Sequence, residues 1–108
     1  MKRKRARREE EKDRTWGEQY VLRLYVSGAT PQSTLAIVNV KKICDNHLHG
    51  RYALEVIDIY QEPALAKRDQ VIAVPTLIKL SPHPLRRLIG DMSNTDRVLD
   101  GLGVRTSE

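Results

Sequence analysis

The run Tyr20-Val21-Leu22-Arg23-Leu24-Tyr25-Val26 carries apolar side chains at both odd and even positions and stops at Ser27-Gly28. A segment this short, rich in β-branched and aromatic residues, reads as a strand. Successive strand side chains point to opposite faces, so apolar character on both faces predicts an interior position with cover above and below. The rest of the chain must supply that cover.

The helix that follows is announced by Thr30-Pro31, a hydroxyl able to cap the first turn and a proline at the first helical position. Ala36, Val40, Ile43, Cys44 and His47 then fall on one stripe, and Gly50 lies just past the end. Tyr52 to Ile59 is a second strand, interrupted by Glu55 and by Asp58, which is placed to cap the following turn. Pro63 starts a shorter helix reaching about Gln70. Val74 to Leu80 reads as a strand, Ser81-Pro82-His83-Pro84 as a turn, and Leu85 to Ile89 as the hairpin partner. Ser93 and Asp96 have capping-box spacing before a last helix carrying Val98, Leu99 and Leu102. The order β-α-β-α-β-β-α is that of a minimal thioredoxin fold, a single α/β domain with parallel strands first and a hairpin after.

One stretch resists a single reading. Leu85, Leu88 and Ile89 have the i, i+3, i+4 spacing of a helical face, yet five residues between Pro84 and Gly90 also suit an edge strand. From Val71 onward the local signals conflict, whereas well-specified sequences agree with their fold at every level.

The 108 residues allow one domain. Phenylalanine is absent and Trp16 is the lone tryptophan, so core volume must come from Leu, Ile, Val and four tyrosines. A domain this size buries roughly two-thirds of its unfolded surface, so its stability is expected to be modest and self-association would add to it. Residues 1–19 hold eight of the 19 basic and five of the 14 acidic side chains, hence three of the five net positive charges. Residues 1–18 are therefore read as a charged extension, disordered or a fraying helix with scattered charge pairs, with Trp16 as a candidate docking residue, 19–104 as the domain and 105–108 as a short tail.

Several function classes are disfavoured. A thioredoxin enzyme needs Cys-x-x-Cys at the start of its first helix, where the helix terminus lowers a thiol pKa; Gly28 to Ser33 holds no thiol. Cys44 lies on the apolar stripe and is expected to be buried and structural. With Cys44, His47 and His49 there is no fourth ligand and His49 points elsewhere on a helix, so no metal is expected. No other cofactor is expected. Lys2 to Arg8 has the charge to meet nucleic acid, anionic lipid or an acidic protein surface, but a solvated tail is the default reading, and no aromatic interleaving supports single-strand stacking. A single cysteine fits a reducing compartment, and no apolar run approaches membrane-spanning length; a cytoplasmic protein without membrane contact is expected. No spacing of Ser, His and Asp singles out a catalytic constellation. Val74-Pro75-Thr76 resembles the proline loop of thioredoxin folds, and the sequence leaves both isomers open at Pro75, Pro82 and Pro84.

Blocks in the right order carry a resemblance to one family. Leu24-Tyr25-Val26-x-Gly28-x-Thr30-Pro31-x-Ser33, Gly50-x-Tyr52-Ala53-Leu54-x-Val56-Ile57-Asp58, Pro75-Thr76-Leu77, Pro84-Leu85-Arg86-Arg87-Leu88-Ile89-Gly90-Asp91-x-Ser93 and Val98-Leu99-x-Gly101-Leu102 are similar to the circadian clock protein KaiB across about residues 20–102. The resemblance implies a non-enzymatic regulator that binds the KaiC ATPase ring and counters its phosphorylation, with KaiA or a clock histidine kinase as further partners. It also implies an alternative arrangement of the C-terminal half: a self-associated ground state, dimer or tetramer, exchanging slowly with a thioredoxin-like monomer. Gly90 and Asp91 match the pair that biases this switch, and Pro75, Pro82 and Pro84 lie in the same segment. Lys79, Arg86 and Arg87 match basic partner-binding positions, and Tyr20 a self-association position. A longer charged extension, no acidic tail after Val104, and Leu35 and Glu55 in place of basic residues bear on KaiA more than on KaiC. The competing expectation is a permanently thioredoxin-like adaptor, similar to the sensor domain of clock-associated histidine kinases, serving stress or signalling without KaiA.

Overall fold

A computed structural model describes residues 19–104. The charged extension, with Trp16, and residues 105–108 lie outside the described residues, and so do the expectations made for them. The elements are β1 (Tyr20–Val26), α1 (Pro31–His47), β2 (Tyr52–Asp58), α2 (Pro63–Arg68), β3 (Thr76–Ser81), β4 (Arg86–Ile89) and α3 (Thr95–Leu102). They follow the expected order.

The four strands form one sheet in the order β2-β1-β3-β4. β1 runs parallel to β2, with Tyr20 beside Tyr52 and Val26 beside Asp58. It pairs antiparallel with β3, which pairs antiparallel with β4. The doubly apolar strand is therefore interior, as its pattern requires. One face sends Leu22 and Leu24 of β1 and Leu77 of β3 into a large core with Ala36, Val40 and Cys44 of α1 and Val98 and Leu102 of α3. The opposite face has a smaller core of Tyr25, Ile57 and Ile78, against which Leu65 and Ala66 of α2 pack half-buried. The two layers are unequal. α1 and α3 bury a full stripe, whereas α2 has no fully buried residue.

Local chemistry accounts for the helix ends. The Thr30 hydroxyl accepts from the Ser33 backbone N–H at 3.3 Å, Pro31 is first in α1, and the Leu48 N–H closes on the Cys44 carbonyl at 2.7 Å. At α3 the cap differs from the expected capping box. Asn94, not Ser93, accepts the Arg97 N–H at 3.0 Å, and Ser93 instead donates its own N–H to Asp91. Gly103, left-handed at φ 74°, closes α3 as Schellman geometry requires, with the Val104 N–H on the Leu99 carbonyl.

The undecided segment adopts the strand alternative. Leu88 turns toward α3, where a Cβ on Gly101 would stand 2.6 Å from the Leu88 Cδ2; the glycine lets helix and strand approach. Leu85 and Ile89 remain 48% and 46% exposed, so the helical face their spacing suggests is not used. Val74-Pro75, Ser81-Pro82 and His83-Pro84 are all cis.

Candidate functional site

At the start of α1, where a thioredoxin enzyme keeps its thiols, there are hydroxyls. Ser33 is buried, and its Oγ accepts the Ser27 N–H at 3.0 Å. Cys44 lies three turns further down α1 in the core, with its pKa pushed up to about 12 by burial and by the neighbouring Asp45. A thiol in that state is a poor nucleophile. Among the described residues no group of three or more His, Cys, Asp and Glu is placed to hold a metal ion, and no helix is long and apolar enough to cross a membrane.

The exposed chemistry concentrates on β4. It is a sheet edge, with one row of backbone groups left for another chain. Arg86 and Arg87 are exposed, flanked by the exposed apolar residues Leu85 and Ile89. The strand is tethered on both sides by guanidinium groups. Arg87 Nη1 donates to the Asp69 carbonyl at 2.6 Å, and Arg97 Nη2 of α3 donates to the Ile89 carbonyl at 3.2 Å. Between α2 and the loop before β3, a shallow apolar groove of about 190 Å³ is lined by Ile59, Ala66, Val71, Ile72, Ala73 and Val74, and Ile72 is 88% exposed.

The residues expected from the family resemblance to bias a switch are partly brought together. The Gly90 N–H donates to the Pro75 carbonyl at 3.0 Å, so the end of β4 is tied to the loop before β3. Gly90 has φ 124°, a conformation that side chains disfavour, and Met92 two residues on is left-handed and buried. Asp91 is held through its carbonyl by Asn39 of α1 at 2.9 Å. Its carboxylate accepts from Ser93, which lowers its pKa; Asn94, not Asp91, caps α3 in this arrangement. Pro82 and Pro84 lie at the opposite end of the hairpin.

Two expected surface residues are inside. Lys79 is 3% exposed and its Nζ donates to the Leu102 carbonyl at 3.3 Å, satisfying the end of α3. In this arrangement it is a helix-terminating cation within the core rather than a docking charge. Tyr20 is also buried, within the larger core, and its N–H donates to the Arg51 carbonyl.

The residue that the sequence reading missed is Asp69. Its carboxylate accepts from the Tyr25 hydroxyl at 2.5 Å, from Arg23 Nη1 at 3.0 Å and from Arg68 Nε at 3.4 Å. Burial opposes the charged form, but the bonds from Tyr25, Arg23 and Arg68 outweigh it and hold the carboxyl below its ordinary range. Burial and the same carboxylate push Tyr25 up to about 12. One signal was available. An aspartate just past the C-terminus of a helix opposes the macrodipole, so something elsewhere must favour it.

A family model of the KaiB domain matches residues 23–104. The chain is 47% identical over 89 residues to the circadian clock oscillator protein KaiB of Prochlorococcus marinus subspecies pastoris, covering 82% of this chain and 83% of that one. It is equally similar to the KaiB of Nostoc punctiforme, covering 82% and 86%. Among solved structures, the N-terminal domain of Synechococcus elongatus SasA matches with TM-score 0.66 and 26% identity over 79% of this chain and 80% of that one. Mitochondrial thioredoxin 3 of Saccharomyces cerevisiae matches in fold, with TM-score 0.65 and 16% identity over 87% of each chain.

Proposed function

The chain belongs to the KaiB family of circadian clock proteins, and we propose that it is a non-enzymatic timing regulator that binds a KaiC-type ATPase ring in its thioredoxin-like form and modulates the ring's phosphorylation. The observation that carries this reading is the β4 edge. Two exposed arginines between exposed apolar residues, on an open sheet edge, suit docking to an acidic protein surface with an apolar centre. Gly28 to Ser33, where a thioredoxin enzyme carries its thiols, holds serine and threonine instead. Entry into this form from a self-associated ground state would re-pair the C-terminal half, where the switch residues Pro75, Pro82, Pro84, Gly90 and Asp91 lie. Tyr20 is inside the core of the thioredoxin-like form, so a self-association role for it belongs to the other arrangement.

Size-exclusion chromatography with light scattering, on the protein with a KaiC-type ring and ATP, tests the reading. Co-elution with the ring is expected, weakened at least tenfold by Arg86→Glu or Arg87→Glu because a reversed rim charge is repelled. Absence of any complex, or a complex indifferent to both substitutions, would overturn it.

A second reading is supported by the similarity to the SasA N-terminal domain: a constitutively thioredoxin-like adaptor. It requires one set of amide resonances from a monomer at every concentration. The switching reading requires two sets whose ratio follows concentration. KaiA and a clock histidine kinase are further candidate partners, each testable by the same co-elution.

A further inference from the structure

α2 should not hold its place unaided. It has six residues, no fully buried side chain, and no side-chain cap at Glu62. A helix of that length is unstable alone and must be fixed by tertiary contacts. Besides the half-buried Leu65 and Ala66, its polar contacts gather at its C-terminal end on Asp69, whose side chain is 15% exposed. Tyr25 and Arg23 of β1 both donate to its carboxylate, and Tyr25 also reaches the Leu65 carbonyl at 3.2 Å. Arg23 extends the chain of contacts to Glu55 of β2 at 3.1 Å. In the other direction the Asp69 carbonyl receives Arg87 of β4. Since β2 and β4 are the two edges of the sheet, the line Glu55–Arg23–Asp69–Arg87 crosses it from rim to rim.

We propose that Asp69 is the positioning residue for Arg87: its carboxylate clamps the end of α2 to β1, and its carbonyl, placed by that clamp, holds the Arg87 guanidinium on the outer face of β4. Charge-assisted bonds to a half-desolvated carboxylate are short and strong, so the clamp fixes the carbonyl more firmly than packing of α2 alone. The edge strand, a four-residue element with one paired side, then takes its order from a helix that is not its neighbour in the sheet. That Arg87 meets a partner rests on the function proposed above; the coupling of Asp69 to β4 does not.

Amide hydrogen exchange on the isolated full chain tests the coupling, read in the thioredoxin-like species identified by cross-strand contacts between Leu24 and Leu77. Asp69→Ala is expected to accelerate exchange across residues 86–89 at least tenfold while α1 changes less than twofold. Arg87→Ala should act on the same amides. The double variant should exchange no faster than the more severe single one, because two residues on one path do not add. Asp69→Asn, which keeps an acceptor for Tyr25 but loses the charge facing Arg23, should fall between wild type and Asp69→Ala, and it serves if the alanine variant does not fold. Uniform acceleration of every element would make Asp69 a general stabilising residue and overturn the proposal. So would additive single effects, or an undisturbed β4. Absence of ring binding by the wild-type protein, with the exchange pattern as expected, would instead count against the proposed function alone.

Discussion

The pKa values of Cys44 and Asp69, on opposite faces of the sheet, shift in opposite directions. On the large-core face the Cys44 thiol is simply starved of solvent, which pushes its pKa up to about 12 and leaves a vanishing thiolate fraction at neutral pH. We expect a thiol reagent such as Ellman's to leave the folded protein unmodified and to react within the mixing time in denaturant; fast labelling of the native state would show that the α1 stripe opens. On the α2 face Asp69 is half-buried but rewarded with partners, so its folded pKa lies below the ordinary 3.8. A carboxyl depressed by folding contributes stability above the unfolded pKa and loses it as pH falls through the folded one. Acid should therefore erode the clamp only below about pH 4, and Asp69→Asn should flatten that limb of a stability-versus-pH curve. Asp91, also depressed, leaves a residual slope. An equally steep limb in Asp69→Asn would show that the carboxylate is not stabilised by its neighbours. Cys44 was legible in the sequence because its role follows from the period of its own helix. Asp69 was not: Arg23 and Tyr25 lie 46 and 44 residues away, beyond any local pattern.

Elements whose ends are fixed by their own residues were readable, and those fixed from outside were not. α1 carries its cap, its proline and its apolar stripe in contiguous sequence, and β1 announces its interior place by its two apolar faces. α3 shows how close alternatives defeat the reading: Ser93 with Asp96 has capping-box spacing, but Asn94 is the residue that meets the Arg97 N–H. Asn94→Ala should cost about 1 kcal/mol by thermal or denaturant unfolding. Ser93→Ala should cost a few tenths, within the range of an ordinary surface substitution. The reverse ranking would return the cap to Ser93. β4 was ambiguous for a physical reason. Its four residues are too few for period 2 to outvote period 3.6, and its strand state is set by β3, α3 and the Asp69 carbonyl rather than by its own composition.

At the scale of the whole molecule the unequal layers matter. The α1 and α3 face is a consolidated core, while the α2 face is held by a polar clamp and closes on a residue with an unfavourable backbone. α2 ends in Schellman geometry, with the Gln70 N–H on the Lys67 carbonyl and the Val71 N–H on the Ala66 carbonyl, and Gln70 itself sits at φ 56°. A side chain in that left-handed conformation costs roughly 1–2 kcal/mol, which glycine would avoid. The cost applies to this arrangement of the chain, so Gln70→Gly acts as a selective stabiliser of the thioredoxin-like form. Suppose that form is the minor, binding-competent one. Ring affinity is then diminished by its fractional population, and a gain of about 1 kcal/mol should tighten the apparent Kd roughly fivefold. Suppose instead that the chain is always thioredoxin-like. The population is already complete, the apparent Kd cannot improve, and Gln70→Gly would show only as a higher unfolding midpoint. Titrating the two proteins against a KaiC-type ring at one ionic strength, alongside their unfolding curves, therefore separates a switching regulator from a permanent adaptor with a single distant substitution. Tighter binding supports the switch, and unchanged binding with a raised midpoint refutes it.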